Sequence, residues 1–158
     1  MIYEMRRNKQ KMRNDDAERV LQDGKTGVLA VCGDNQPYAV PLNYVYYDSK
    51  IYFHCATQGR KLDEIAKNSE VSFCVVAQDD VVPEKFATRY RSVIAFGNAR
   101  VLAHGAEYDA AIDALARKYS PDVSADLRRK EIEKYAERLA MVAVDISYLS
   151  GKQSSDLC

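Results

Sequence analysis

The sequence predicts a mainly β protein in which an antiparallel sheet curls into a small closed or nearly closed barrel, with helices at its rim. Three observations carry this. Strand-like segments follow one another through connections too short for a parallel crossover, at Gly33-Asp34-Asn35-Gln36 and Asp48-Ser49. Tyr38 to Tyr47 alternates strictly: Tyr38, Val40, Leu42, Tyr44 and Tyr46 face one way, and Ala39, Pro41, Asn43, Val45 and Tyr47 face the other. A long strand-like stretch from Arg89 to Ala103 carries Gly97, where a sheet can bulge and curl.

Along the chain, Arg6 to Arg13 is a basic arm without an apolar face. Asp15-Asp16-Ala17-Glu18 has capping-box spacing, and Val20 and Leu21 give a short helix ending near Gly24. Val28 to Cys32 is a first strand. Pro41 cannot donate to a ladder and marks an edge, a bulge or a place where a ligand replaces a neighbouring strand. Ile51 to Ala56 follows as a strand, Arg60 to Lys67 as a helix with Leu62, Ile65 and Ala66 on its apolar side, and Val71 to Ala77 as a further strand. Gln78 to Thr88, with Asp79-Asp80 and Pro83, breaks periodicity and reads as a loop. Two helices come next. Ile112, Leu115, Ala116 and Tyr119 share a face of the first, which Ser120-Pro121 stops. Ser124 caps the second, whose narrow stripe is Ile132, Tyr135 and Leu139 and whose other face is a solvated mix of charges. Met141 to Leu149 is the last strand, followed by Gly151-Lys152 and a frayed polar end.

The bulk composition predicts one domain over residues 1–158. The charges balance, Lys+Arg 23 against Asp+Glu 23, so no polyanion-binding surface is indicated and nucleic acid is not an expected partner. Cys32, Cys55, Cys74 and Cys158 are widely spaced, and with only His54 and His104 beside them they do not make a zinc site. No apolar run reaches the length of a membrane span or forms a signal peptide, which points to no membrane partner, a cytoplasmic setting and free thiols. The tyrosines of Tyr44-Val45-Tyr46-Tyr47 fit a subunit boundary or plain β-propensity equally well.

The stretch from His54 to Leu62, HCATQGRKL, is the most informative. A strand ends on a histidine and a thiol, the chain turns at Thr57-Gln58-Gly59, and a helix opens on Arg60 and Lys61. A helix start with two cations and a preceding glycine suits a phosphate. The same residues also fit a solvated pair at an ordinary strand-to-helix turn. There is no G-x-G-x-x-G, no Walker motif and no G-x-S-x-G elbow, and the carboxylates lie on polar helix faces. Any chemistry here is therefore expected to reside in a bound cofactor.

Three segments together carry a resemblance: Val40-Pro41-Leu42-Asn43-Tyr44-Val45-Tyr46, then Tyr52-Phe53-His54-Cys55-Ala56 with Gly59-Arg60-Lys61-Leu62, then Tyr90 to Ala99. The combination resembles the pyridoxamine 5'-phosphate oxidase-like split-barrel flavoproteins, and is most similar to their nitroimidazole-resistance branch. Met5-Arg6-Arg7 and Ser150-Gly151-Lys152 are similar to that branch as well. The resemblance implies an antiparallel split β-barrel and a homodimer with FMN in a groove between two subunits. Val40, Pro41, Leu42, Asn43 and Tyr44, with Phe53, His54, Cys55 and Ala56, would line the flavin and ribityl chain, partly through backbone. Gly59, Arg60 and Lys61 would hold the phosphate, with Ser92 and Val93 near the cofactor. One departure matters. The tail Lys152 to Cys158 lacks the arginine and histidine with which true pyridoxamine-phosphate oxidases recognise their substrate, so that substrate is rejected.

On this resemblance His54 is catalytic; the alternative is a satisfied histidine at a strand end. His104 reads as structural. Cys55 beside His54 could suggest an activated thiolate, but adjacent strand residues point to opposite faces. Two functions from different classes follow: an FMN-dependent oxidoreductase reducing a small oxidised or nitro-aromatic compound, or a non-catalytic module of the same fold holding flavin, haem or a deazaflavin.

Overall fold

The computed structural model describes residues 5–34 and 36–157; Asn35, in the predicted turn, and Cys158 lie outside the described residues. In chain order the elements are α1 (Asn14–Asp23), β1 (Thr26–Val31), β2 (Tyr38–Asn43), β3 (Val45–Tyr47), β4 (Lys50–Ala56), α2 (Arg60–Lys67), β5 (Glu70–Val82), β6 (Ala87–Val101), α3 (Ala106–Tyr119), α4 (Ala125–Tyr135) and β7 (Leu139–Gln153). All seven strands join one antiparallel sheet in the order β2-β1-β5-β6-β7-β4-β3. Its two edges, β2 and β3, are separated in sequence by Tyr44 alone, so the sheet curls until its ends meet. This is the split barrel expected from the sequence.

The curl encloses the core. Leu29, Tyr44, Ile51, Phe53, Phe73, Val93 and Val142 are buried inside the barrel, with Leu21 of α1 closing one mouth. Val45, Tyr52, Met141 and Ala143 face outward and pack against Tyr108, Ile112 and Leu115 of α3. Gly97 sits at a register shift against β7, and a Cβ there would stand 2.1 Å from the Asp145 carbonyl oxygen. Only glycine admits that approach, and the sheet bends there as predicted.

Several boundaries differ from the sequence reading. Tyr38 to Tyr47 is two strands rather than one, because β2 pairs with β1 and β3 with β4. Gln78 to Thr88 is not a loop. After a bulge between Val76 and Gln78, the β5·β6 ladder continues from Gln78↔Arg91 to Val82↔Ala87, turning at Pro83–Lys85 and Phe86. A two-stranded ribbon has no buried face to impose apolar alternation, so its charges hid the strands. The capping box does not form: α1 starts at Asn14 without a side-chain cap. Leu139 opens β7 instead of completing the α4 stripe, and α4 buries no residue; Ser124 does cap it, accepting from the Leu127 N–H at 3.4 Å. The tail is not frayed: β7 runs to Gln153, the Ser154 N–H donates to the Tyr90 carbonyl at 3.0 Å, and Asp156, in a short 3-10 turn over Ser155–Leu157, accepts from Arg89 Nε at 2.7 Å. Lys152 pairs with Ser92 and bridges Lys11, and the Met12 N–H donates to the Gly151 carbonyl at 2.9 Å. Tyr44 is fully buried in its own barrel, which removes it from any subunit boundary, whereas Tyr47 is exposed.

Candidate functional site: the split between β2 and β4

The β3·β4 register is Val45↔Tyr52, Tyr46↔Ile51 and Tyr47↔Lys50. Extended further, it would set Asn43 against His54, Leu42 against Cys55 and Pro41 against Ala56. Those pairs do not form, because β2 swings away to pair with β1 from Thr26↔Asn43 to Val31↔Tyr38. Two strand edges, at residues 40–43 and 53–56, therefore face each other across a cleft without pairing. The crossover is fixed by Tyr119, whose hydroxyl accepts from the Tyr44 N–H at 3.0 Å and lies 2.8 Å from the Tyr44 carbonyl. Inside the barrel, the Tyr44 hydroxyl donates to the Leu21 carbonyl at 2.8 Å. Burial pushes the Tyr44 phenol pKa up, keeping it a neutral donor.

Alternation assigns each side chain. Val40 and Leu42 lean on the core, Pro41 and Asn43 face out, and Phe53 and Val93 are fully buried inside. Contacts to a ligand from Tyr44, Phe53 and Val93 would thus run through backbone. His54 faces out and Cys55 faces the core, so the two do not form a nucleophile pair; burial also raises the Cys55 pKa, opposed by the Lys61 charge.

Beyond Ala56, the open end of the cleft meets α2. Gly59 has φ 139°, a conformation that favours glycine, and no atom lies within 4 Å of where its Cβ would be. No side chain caps α2; the Leu62 and Asp63 N–H groups bond to the Gly59 carbonyl at 2.9 and 3.2 Å, which leaves the Arg60 and Lys61 N–H groups at the positive end of the helix. Arg60 reaches back to β2: it donates to Gln36 Oε1 at 3.1 Å, stacks 4.5 Å above the Tyr38 ring and pairs with Glu64 at 3.5 Å. Lys61 makes no hydrogen bond or ion pair among the described residues.

Glu64 was not foreseen as part of this site. It is buried, and its Oε2 accepts from the Gly33 N–H at 2.6 Å and the Asp34 N–H at 3.4 Å, tying α2 to the β1–β2 turn. An acid at i+4 from Arg60, beside Ile65, was its only sequence signal. These N–H bonds, with Arg60, hold its pKa below the usual 4.5. Its stabilisation is therefore full above about pH 4.5 and lost as pH falls through the lower folded value. The gap in urea midpoint between wild type and Glu64→Gln is expected to be open at pH 7 and to narrow as the pH falls below 4.5 through that lower folded value.

Asn43 and His54 also border a cavity of about 480 Å³ between β4, α3 and α4, otherwise lined mainly by Ile112, Leu115, Tyr119, Leu127, Ile132 and Tyr135. His54 opens to solvent through its mouth, yet the apolar walls still penalise the cation and lower its pKa below 6.5. Ser92 lies elsewhere. It pairs with Lys152, whereas His54 pairs with Met141, eleven residues back along β7. That is about 36 Å of extended strand. Ser92 and Val93 thus pair toward the opposite end of β7 from His54, with Val93 in the same buried core as Phe53. His104 stands against the Tyr108 ring, just before the start of α3. Among the described residues, no group of His, Cys, Asp and Glu could hold a metal, and no helix is long and apolar enough to cross a membrane.

Comparison with known proteins accords with this architecture. An uncharacterized protein of Rhizobium meliloti (strain 1021) is 33% identical over 61 residues, 39% of this chain and 40% of that protein. A conserved hypothetical protein of Mycobacterium tuberculosis superposes with TM-score 0.80 at 16% identity, covering 95% of this chain and 90% of that one. A candidate 5-nitroimidazole antibiotic resistance protein of Bacteroides thetaiotaomicron gives 0.74 at 19%, covering 90% and 86%. A FAD- and heme-binding protein of Mycobacterium smegmatis gives 0.70 at 22%, covering 92% and 73%. At these identities the structural likeness speaks for the fold. The family model for pyridoxamine 5'-phosphate oxidase matches residues 13–153, nearly the whole barrel with its split and its α2 turn, and the chain belongs to that family.

Proposed function

We propose that the chain binds FMN in the split as a homodimer and serves the reduction of a small oxidised or nitro-aromatic compound. The observation that carries this reading is the cleft itself: two unpaired strand edges that run to an uncapped, cation-bearing helix start. A planar heterocycle finds backbone donors and acceptors along residues 40–43 and 53–56. A phosphate finds the α2 N–H groups, Arg60 and Lys61, with open space at Gly59. The family assignment and the flavin named for a structural neighbour support the same reading.

A bound flavin supplies hydride transfer. The chain's own residues bind, orient and polarise. Glu64, Gln36 and Tyr38 pre-position Arg60 for the phosphate, which lowers the ordering cost of binding. Tyr119 keeps the cleft at fixed width by holding the Tyr44 crossover. His54 presents an N–H at the cleft wall, where a substrate gaining hydride develops negative charge on oxygen. The dimer is supported by an outer sheet face on which Val28, Val76, Ile94 and Phe96 stand exposed, and by the pairing of Ser92 toward the opposite end of β7 from His54.

The test is the absorbance spectrum of the purified protein together with light scattering. The expected result is a yellow dimer that bleaches on addition of NADH or dithionite. A red protein would assign haem, with a histidine ligand. Binding of a deazaflavin in preference to FMN, without turnover, would make the chain a carrier module. A colourless monomer that takes up none of these would refute the reading.

A further inference from the structure

We propose that the cavity between β4, α3 and α4 receives a small ring-bearing carboxylate, with Arg128 taking the carboxyl group and the apolar walls beside His54 taking the ring. This names a substrate class for the site proposed above and rests on that reading for turnover only, since binding in the cavity requires no flavin.

Arg128 lines the cavity as a half-buried cation without a counter-ion. Its neighbours on α4 are paired: Arg129 with Asp126 at 4.0 Å and Lys134 with Glu131 at 3.4 Å. Arg128 forms no ion pair with a described residue. Its Nη1 donates to the Ser120 carbonyl at 3.4 Å and to the Val123 carbonyl, which anchors the side chain on the α3–α4 connection. Its Nε is buried without a hydrogen-bond partner, and Nη2 makes no bond to a described residue. Nε–H and Nη2–H share one edge of the guanidinium plane, the edge that a carboxylate grips with both oxygens. A buried charged donor left without an acceptor is costly, and a carboxylate bound at this edge removes that cost.

The remaining walls select what the carboxylate is attached to. Ile112, Leu115, Leu127, Ile132 and Tyr135 enclose about 480 Å³, the scale of a small-molecule site. A ring fills such walls, whereas a sugar or a free amino acid would bury polar groups there without partners. Glu131 is the one acid among the lining residues, and Lys134 already offsets it. A single unpaired cation beside it suits a monoanion better than a phosphate dianion. Asn43 of β2 and His54 of β4 line the same cavity from the strand side. A ligand held by α4 at its carboxylate therefore turns its other end toward the split.

The experiment is calorimetric titration of the protein as purified with para-nitrobenzoate and with para-nitrobenzyl alcohol, its uncharged counterpart. The carboxylate is expected to bind about tenfold or more tighter than the alcohol. In Arg128→Gln that preference is expected to vanish with FMN affinity unchanged, and Arg128→Lys, which keeps the charge without the two-point edge, is expected to retain part of it. The ratio of the two affinities is the readout, because a loosened α4 would weaken both ligands alike. Equal affinities in the wild type, binding of neither compound, or a preference that survives in Arg128→Gln overturns the carboxylate site. A yellow protein that reduces both compounds without preference overturns it while the flavin reading stands. A colourless protein that prefers the carboxylate through Arg128 keeps the site and removes the flavin reading.

Discussion

The double replacement Arg60→Ala, Lys61→Ala is expected to lower FMN affinity more than a hundredfold. Each removed cation takes away a charge-assisted contact to a dianion, about 1.5–3 kcal/mol apiece. Even the low ends together approach 3 kcal/mol, which is more than two decades in Kd. The residues are adjacent, so the two losses can couple and the sum serves as a guide. Their environments differ. Arg60 is already held by Glu64, Gln36 and Tyr38, so its loss also loosens the β1–β2 side of the site. Lys61 makes no such bond among the described residues, and Lys61→Ala should act on the ligand alone. Arg60→Lys is expected to recover only part of the affinity, because an ammonium does not reproduce the planar fork or the stacking on Tyr38. Fluorescence titration with FMN and with riboflavin measures the effect. FMN affinity should fall while riboflavin affinity, lacking the phosphate term, stays near wild type. Unchanged FMN affinity in the double variant would remove the phosphate from α2.

What the sequence disclosed, and what it concealed, follows from how far each signal reaches. The α2 boundaries, Arg60 to Lys67, were legible because Gly59 marks the turn and Leu62 and Ile65 mark the buried side within a single element. Gly97 announced its bulge for a similarly local reason: a glycine inside a strand pattern has few other uses. The split was half visible. Strict alternation through Tyr38 to Tyr47 gave the faces of the side chains correctly, but alternation says nothing about which neighbour each half pairs with. The break at Tyr44 is set by a hydroxyl on Tyr119, seventy-five residues away, which in sequence counts only as one more apolar position on α3. Glu64 was hidden likewise, since its partners are the N–H groups of Gly33 and Asp34 across the fold. The hairpin beyond Val76 failed for the opposite reason. Its ladder is backbone only, and Asp79, Asp80 and Arg89 have no core side to avoid. Short-range chemistry at the helix start could thus be read from residues; the width of the cleft, its clamp and the cavity at His54 are properties of pairings between distant strands.

His54→Ala is expected to keep FMN bound and to lose about a hundredfold in turnover with a nitroimidazole or quinone acceptor, the order of a general acid's contribution. The histidine lies two residues inside the end of β4, within seven consecutive pairs with β7, so its backbone is set by the sheet rather than by a loop. Its folded pKa lies below 6.5 because the cavity walls desolvate the cation, and near pH 7 the ring is mostly neutral. The sign of the pH dependence follows. The protonated acid becomes populated only as pH falls below 6.5, so wild-type turnover should rise on that side and level off once pH is under the folded value. The same linkage makes the fold less stable in that window, since folding favours the neutral ring, and the assay therefore needs flavin occupancy measured by absorbance at each pH. In His54→Ala the acid-side rise should vanish with the flavin still in place. A variant that turns over at the wild-type rate would leave His54 with a structural role only. One that loses the flavin would make it a ligand to the cofactor. One that loses rate but keeps the acid-side rise would move the proton donor to another group at the cleft.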